Sequence, residues 1–274
     1  MSKEAYKLAF IGGGQMAGAL LKGILAADLY RAGEIVVAEP EAARRELLAR
    51  EFGVAVVAGA ADFPAACPVV VLAVKPQVLG KVLESYRGRL AGERLLISIA
   101  AGISLAFIEE CLAPEPVRVI RVMPNTPALV QAGASALAPG SRADADDLEV
   151  GRRLFAAVGS VVILEERQLD AVTGLSGSGP AYVFTFFEAL VEAGVKVGLS
   201  REVATELARQ TISGSMQLAA ADQQQNPAAL RAMVTSPGGT TIAGLHVLER
   251  GGFRGLLMDA VETATRRSVE LGRG

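Results

Sequence analysis

Between Lys7 and about Leu164 the chain alternates short, nearly continuous apolar runs with amphipathic stretches. The runs cover residues 8–12, 34–39, 54–57, 69–74, 95–100 and 117–123, with weaker ones near Ala134 and Val161. Strands that are apolar at every position, rather than at alternate ones, suit a sheet covered on both faces. Residues 42–52 and 77–90 connect such runs at helical spacing, so the pattern predicts successive βα units forming a parallel sheet.

After roughly Glu166 the strand signal stops and helix punctuation replaces it. Pro180 opens one helix and Gly198 closes it. Ser200 caps a second, along which Leu207, Thr211, Ile212, Ser215, Met216 and Ala219 recur on one small-residue face. Asn226 and Pro227 begin a third. A fourth follows Ser236-Pro-Gly-Gly and stops at Gly251-Gly252, and a last amphipathic helix covers about 254–271. Two domains are expected: an α/β domain over residues 1–165 with a doubly wound, Rossmann-like sheet, and an all-helical domain over 166–274.

Composition narrows the classes. With 274 residues and 51% apolar content the chain can bury a substantial core. A net charge of −2 and a pI near 5.7 leave no basic excess for nucleic acid. The longest strongly apolar run, 95–108, is interrupted by Ser98, Gly102 and Ser104 and is shorter than a membrane span. The first residues, Met1 to Lys7, lack the order of a signal peptide, so a cytoplasmic protein is expected. Cys67 and Cys111 have no metal-ligand spacing and read as buried free thiols. Phe184, Phe186, Phe187 and Leu190 spread apolar surface over a wide helix face, and the small helical block is expected to pack on a second copy.

Candidate chemistry begins at Gly12-x-Gly14-x-x-Ala17, which follows an apolar strand and opens a helix containing Leu20, Leu21, Ile24 and Leu25. Gly12 makes the tight turn, Gly14 lets backbone approach a pyrophosphate, and Ala17 or Gly18 allows close helix packing. The helix amides then face the anion. Glu39 ends the second run, where a carboxylate accepts hydrogen bonds from an adenosine ribose and favours NADH. Arg44 and Arg45, one turn later, either fold back to pair with a phosphate or, as the favoured reading, form a solvated helix face. Ala73, Val74, Lys75 and Pro76 end the fourth strand, with Lys75 read as an anchor or phosphate contact rather than a catalytic acid. In the 170–182 segment Gly174, Gly177 and Gly179 are read as giving left-handed freedom, and Ser176 and Ser178 as satisfying helix amides. The single histidine, His246, sits within a helix and reads as a packing or interface side chain.

Taken in chain order, Gly12-Gly-Gly-Gln-Met-Ala-Gly18, residues 73–76, Met123-Pro-Asn-Thr-Pro127, residues 170–182 and Ser236-Pro-Gly-Gly-Thr-Thr-Ile242 resemble the pyrroline-5-carboxylate reductases over nearly the whole chain. The resemblance implies reduction of 1-pyrroline-5-carboxylate to L-proline by hydride from NAD(P)H, the last step of proline synthesis. It implies a cofactor lining of Ile11, Gly12, Gly13, Gly14, Gln15, Met16, Glu39, residues 73–76, Ala100, Ala101 and Asn125. It aligns Thr241 with the threonine that hydrogen-bonds the imine nitrogen, and Ser236, Gly238, Gly239 and Thr240 with carboxylate contacts. Ser176 and Ser178 fall in the substrate loop, and Glu166 matches a substrate-side acid in some members or is a surface charge. Assembly as a homodimer or larger ring, through the helical block, is implied as well.

Three departures stand out. Glu39 replaces a small hydroxyl residue and tilts an NADPH family toward NADH. Residues 59–61 lack an asparagine that some relatives offer the cofactor, and Gln223-Gln-Gln225 replaces a glutamate. Two other readings compete. A β-hydroxyacid dehydrogenase shares the Gly-x-Gly-x-Met-Gly start but needs a lysine in the helix after its second glycine loop, and residues 182–195 contain none. A dinucleotide-binding regulator without turnover would have no use for residues 236–241.

Overall fold

The structure, a computed structural model, describes residues 6–90, 92, 94–115, 117–221 and 226–272. Gln223 to Gln225 and the first five residues lie outside that set.

Among the described residues eight strands form one sheet: β1 (Leu8–Ile11), β2 (Ile35–Ala38), β3 (Ala55–Val57), β4 (Val69–Leu72), β5 (Leu95–Ser98), β6 (Arg118–Met123), β7 (Gly133–Pro139) and β8 (Gly159–Ile163). The helices are α1 (Gln15–Ala26), α2 (Ala42–Phe52), α3 (Pro76–Leu90), α4 (Leu105–Leu112), α5 (Ala145–Ala156), α6 (Leu169–Val172), α7 (Gly179–Lys196), α8 (Arg201–Ala221), α9 (Pro227–Met233), α10 (Thr240–Arg250) and α11 (Phe253–Gly272). Strand order is β3-β2-β1-β4-β5-β6-β7-β8, the doubly wound order extended by two strands.

Every neighbouring pair is parallel except β6 and β7. The wholly parallel sheet expected from the βα alternation is corrected at this point. Residues 124–132 hold only a short 3-10 turn, Thr126–Val130, too little for a crossover helix, so β7 turns back antiparallel. The crossover then resumes through α5, which brings β8 parallel to β7.

Pleating explains the continuous apolar runs. Leu8 and Phe10, Ile35 and Val37, Val69 and Val71, and Leu95 and Ile97 pack on one face with Ala17, Leu20, Leu21 and Ile24 of α1 and Leu154 and Phe155 of α5. Ala9 and Ile11, Val36 and Ala38, Val70 and Leu72 face the other way, against Leu79 and Leu83 of α3 and Ile108 and Leu112 of α4. Both faces of these strands are buried, so apolar residues stand at nearly every position.

The chain divides into two compact units, Met1–Ser178 with Thr263–Gly274, and Gly179–Glu262. The division lies beyond the 165/166 boundary expected from sequence, because Leu169 is buried with Ala136 and Ala138 of β7. The end of α11 also belongs to the first unit: Ser268 Oγ lies 2.7 Å from Asp170 Oδ1.

The second unit is helical, as its punctuation predicts. Ser200 accepts from the Val203 amide at 3.3 Å and Asn226 from the Ala229 amide at 2.9 Å, capping α8 and α9. Gly194 lets α7 meet α8, since a Cβ there would stand 2.8 Å from that of Ala204. Its own core is thin: Val191, Ala204 and Ala208 are buried, whereas Phe184, Leu207, Met216, Leu256 and Met258 are all more than half exposed in the single chain.

Candidate active site

Gly12 leaves β1 with φ +99°, a conformation that a side chain disfavours. It is also pressed against the neighbouring loop, since a Cβ there would lie 2.6 Å from the carbonyl oxygen of Ala73. The turns after β1 and β4 therefore meet backbone to backbone. Gly14 is exposed, has open space where a Cβ would project, and serves as N-cap of α1 without any side-chain hydrogen bond to that helix. No acidic residue occupies the first turn of α1. The first amides of α1 are thus left for an anion, while Ala17 is fully buried where helix and sheet pack.

Around this turn the structure gathers the other expected cofactor residues at the carboxyl edge of the sheet. Ile11 ends β1, and Gln15 and half-buried Met16 start α1. Val74 Cγ1 lies 2.9 Å from the Cβ position of Gly12. Lys75 is exposed beside Pro76, the first residue of α3. Ala100 is buried after β5, with its amide 3.4 Å from Ser98 Oγ, and Ala101 beside it is exposed.

Glu39 and the two arginines form a tight cluster. Glu39 Oε2 accepts from the Gly13 amide at 2.8 Å, and Oε1 accepts from the Glu41 amide at 3.0 Å. Arg44 donates from Nε to the Gly13 carbonyl at 2.5 Å and from Nη2 to the Gly14 carbonyl at 3.2 Å. Arg45 Nη1 donates to the carbonyls of Glu39 and Pro40 at 2.8 and 2.7 Å. The favoured expectation of a solvated helix face is therefore wrong for both arginines. Carbonyl oxygens at the two turns give a guanidinium better partners than water does.

Asn125 acts as a clamp. Its Oδ1 accepts from the Ala134 amide at 2.8 Å, and its Nδ2 donates to the Ser176 carbonyl at 3.1 Å. That second bond joins the loop after β6 to a π-helical turn, Thr173–Gly177, in which the Ser178 amide donates to the Thr173 carbonyl at 2.8 Å. The left-handed freedom expected of Gly174, Gly177 and Gly179 is not used, for none of them has positive φ. Gly177 instead sits close to a neighbouring side chain: a Cβ there would stand 2.6 Å from Met123 Cε, the end of a flexible chain. Ser176 Oγ donates back to the Val172 carbonyl at 3.1 Å.

Glu166 is committed to the frame of the first unit. Its Oε1 accepts from the Leu105 amide at 2.7 Å, joining Ser104 in capping α4, and meets Arg121 Nη1 at 3.0 Å. Glu166 also borders an open hollow of about 530 Å³ with Pro139, Ile163 and Leu164. Arg121, 8% exposed, was not singled out from sequence, although a charge inside the apolar run 118–123 was the available signal.

In the second unit, Gly238 has φ +66° and Gly239 is the N-cap of α10, again with no side-chain bond. The Gly239 amide donates to the Ser236 carbonyl at 3.1 Å, closing the loop. Thr240 is exposed and Thr241 half-buried at the helix start. His246 is exposed on α10 in the single chain. Among the described residues no group of three or more His, Cys, Asp or Glu could hold a metal ion, and no helix is long and apolar enough to cross a membrane. Cys67 and Cys111 are free, and burial pushes the Cys67 thiol up to about 11.

A doubly wound sheet, a glycine turn with close backbone contact and an uncapped α1 define the class: a dinucleotide-dependent oxidoreductase with a helical second part. Residues 166–271 match the family described as pyrroline-5-carboxylate reductase dimerisation, and residues 7–102 match NADP oxidoreductase, coenzyme F420-dependent. The chain is 46% identical over 267 residues to the pyrroline-5-carboxylate reductase of a Synechocystis strain, covering 97% of this chain and 98% of that one. The solved pyrroline-5-carboxylate reductase of Coxiella burnetii superposes with a TM-score of 0.92 at 36% identity, covering 98% of this chain and 99% of that one. That of Plasmodium falciparum, solved with NADP bound, gives 0.85 at 33% identity, covering 99% and 100%. The chain belongs to the pyrroline-5-carboxylate reductase family.

Proposed function

We propose that this chain reduces 1-pyrroline-5-carboxylate to L-proline with NAD(P)H, the terminal step of proline synthesis. The family membership supports the reaction, and the site residues supply its means. The observation that carries the cofactor half is the start of α1: Gly14 leaves its first amides without a side-chain cap, beside a turn with no room for a Cβ at Gly12. Ile11 to Met16, Ala73 to Pro76, Ala100 and Ala101 line that edge and would hold the dinucleotide.

A nicotinamide dinucleotide held there would supply the hydride that reduces the imine carbon. What the chain must add is modest, because a protonated imine is already electrophilic: orientation, recognition of the carboxylate and a hydrogen bond at the ring nitrogen. We assign carboxylate recognition to Ser236, Gly238, Gly239 and Thr240, where the uncapped first turn of α10 offers amides to an anion. Thr241 Oγ is assigned to the ring nitrogen. Asn125 serves by tying the loop after β6 to the π-helical turn that carries Ser176 and Ser178, and Glu166 serves at one remove through Arg121 and α4.

The helical unit is assigned to pairing with a second copy. Its apolar side chains outside the small α7–α8 core, including Phe184 and Met216, support that reading, as does the dimerisation family matched over 166–271. Two free cysteines suit the cytoplasm.

The test is oxidation of NADH and of NADPH by the purified protein on addition of pyrroline-5-carboxylate, with proline identified as product. Turnover is expected with the parent. Thr241→Ala is expected to lose about 10- to 100-fold in kcat with little change in dinucleotide affinity. Silence with both cofactors overturns the reaction, and an unaltered Thr241→Ala removes that residue from the chemistry.

A further inference from the structure

We infer that Arg44 reads the adenosine 2′ position and admits the 2′-phosphate of NADPH in spite of Glu39. The inference rests on the dinucleotide reading of the β1–β2 edge and goes beyond it by assigning a discriminating residue. A carboxylate at the end of the second strand ordinarily accepts from the ribose 2′-hydroxyl and turns a phosphate away. Glu39 is not free to do so unopposed. Each of its oxygens already accepts a backbone amide, Gly13 at 2.8 Å and Glu41 at 3.0 Å, which pins the carboxylate and leaves each oxygen a single lone pair to offer.

Arg44 lies across the same peptide from the other side. Glu39 holds the Gly13 N–H, and Arg44 holds the Gly13 carbonyl at 2.5 Å and the Gly14 carbonyl at 3.2 Å. Nη2 also stands 3.4 Å from where a Cβ of Gly18 would project, which lays the guanidinium over the first turn of α1. Two carbonyls therefore fix the orientation of the group before any ligand arrives. Nη1 makes no hydrogen bond to another described residue and keeps both of its N–H groups for a ligand. Arg45 adds a second cation at the same strand end, held by the Glu39 and Pro40 carbonyls. A pre-oriented guanidinium with spare donors beside the 2′ position suits a phosphate dianion, and charge-assisted bonds of this kind outweigh a carboxylate whose oxygens are already engaged.

The experiment has two arms on the full-length protein. In steady-state kinetics, Arg44→Ala is expected to lower kcat/KM for NADPH at least tenfold more than for NADH, with Arg44→Lys intermediate. In titration calorimetry, which needs no turnover, the same variant is expected to weaken 2′,5′-ADP about tenfold and leave AMP within about twofold. Equal losses for both cofactors and both nucleotides would overturn the inference and make Arg44 only a brace for the glycine turn. No change in either arm would overturn it too. Selective loss of 2′,5′-ADP binding in a protein that reduces no imine would uphold Arg44 and sink the reductase reading instead.

Discussion

Glu166 offers the sharpest division between a frame residue and a substrate contact. Replacing it by alanine leaves Arg121, 8% exposed, without its carboxylate and removes an acceptor from the Leu105 amide. Breaking a buried pair from one side costs about 3–5 kcal/mol, and the 31% exposure of Glu166 reduces that through solvent screening. Adding about 1 kcal/mol for the orphaned amide gives roughly 2–4 kcal/mol for Glu166→Ala. The expected readings are a melting temperature lower by on the order of 5–10 °C, a lower urea midpoint, and a KM for the imine within about twofold of the parent. Adding Arg121→Met should restore part of the loss, because the stranded cation is gone. A Glu166→Ala protein with the parent's melting temperature and a tenfold higher KM would refute the reasoning and make Glu166 a direct substrate contact.

Two glycines should behave oppositely to a single methyl. Gly12→Ala puts a Cβ 2.6 Å from a backbone carbonyl at φ +99°, so dinucleotide binding, followed by fluorescence titration, is expected to fall below detection. Gly177→Ala meets only the mobile tip of Met123 and should cost less than about 1.5 kcal/mol in urea unfolding. Glu39→Ser removes the one carboxylate held against Gly13 and should raise the NADPH to NADH ratio of kcat/KM several-fold; an unchanged ratio would show that its charge is not felt at the 2′ position. Burial raises the Cys67 thiol from 9.0 to about 11, so the folded chain holds that proton more tightly than the unfolded one. Stability from this group is full below pH 9 and is lost as pH rises toward 11, on the order of 2 kcal/mol, and Cys67→Ala should show a smaller decline across that window.

Periodicity made the sheet legible because both faces of β1, β2, β4 and β5 are buried, and such strands have no polar parity to hide them. The reversal at β7 was not legible. Its cause is the length and turn content of 124–132, which apolar runs do not report. The glycine turn and the second loop were found because their φ angles and close contacts demand particular residues. Arg44, Arg45, Asn125 and Glu166 were named from sequence, but their partners lie on other segments, and spacing along the chain cannot reveal what a long side chain folds back upon. The π-helical turn read as a glycine loop using left-handed angles because small residues serve tight packing and left-handed turns alike.

The tie between Ser268 and Asp170 sets an order of events during synthesis. Residues 263–272 complete the first unit, and Gly272 comes so close to Gly102 that a Cβ would stand 2.9 Å from the Gly102 carbonyl oxygen. A nascent chain that has already made all eight strands still lacks that closing piece until residues 263–272 have been made. The first unit is therefore completed only after the whole of 179–262 has been made. A chain cut short of Ser268 keeps all eight strands but leaves Asp170 without this contact.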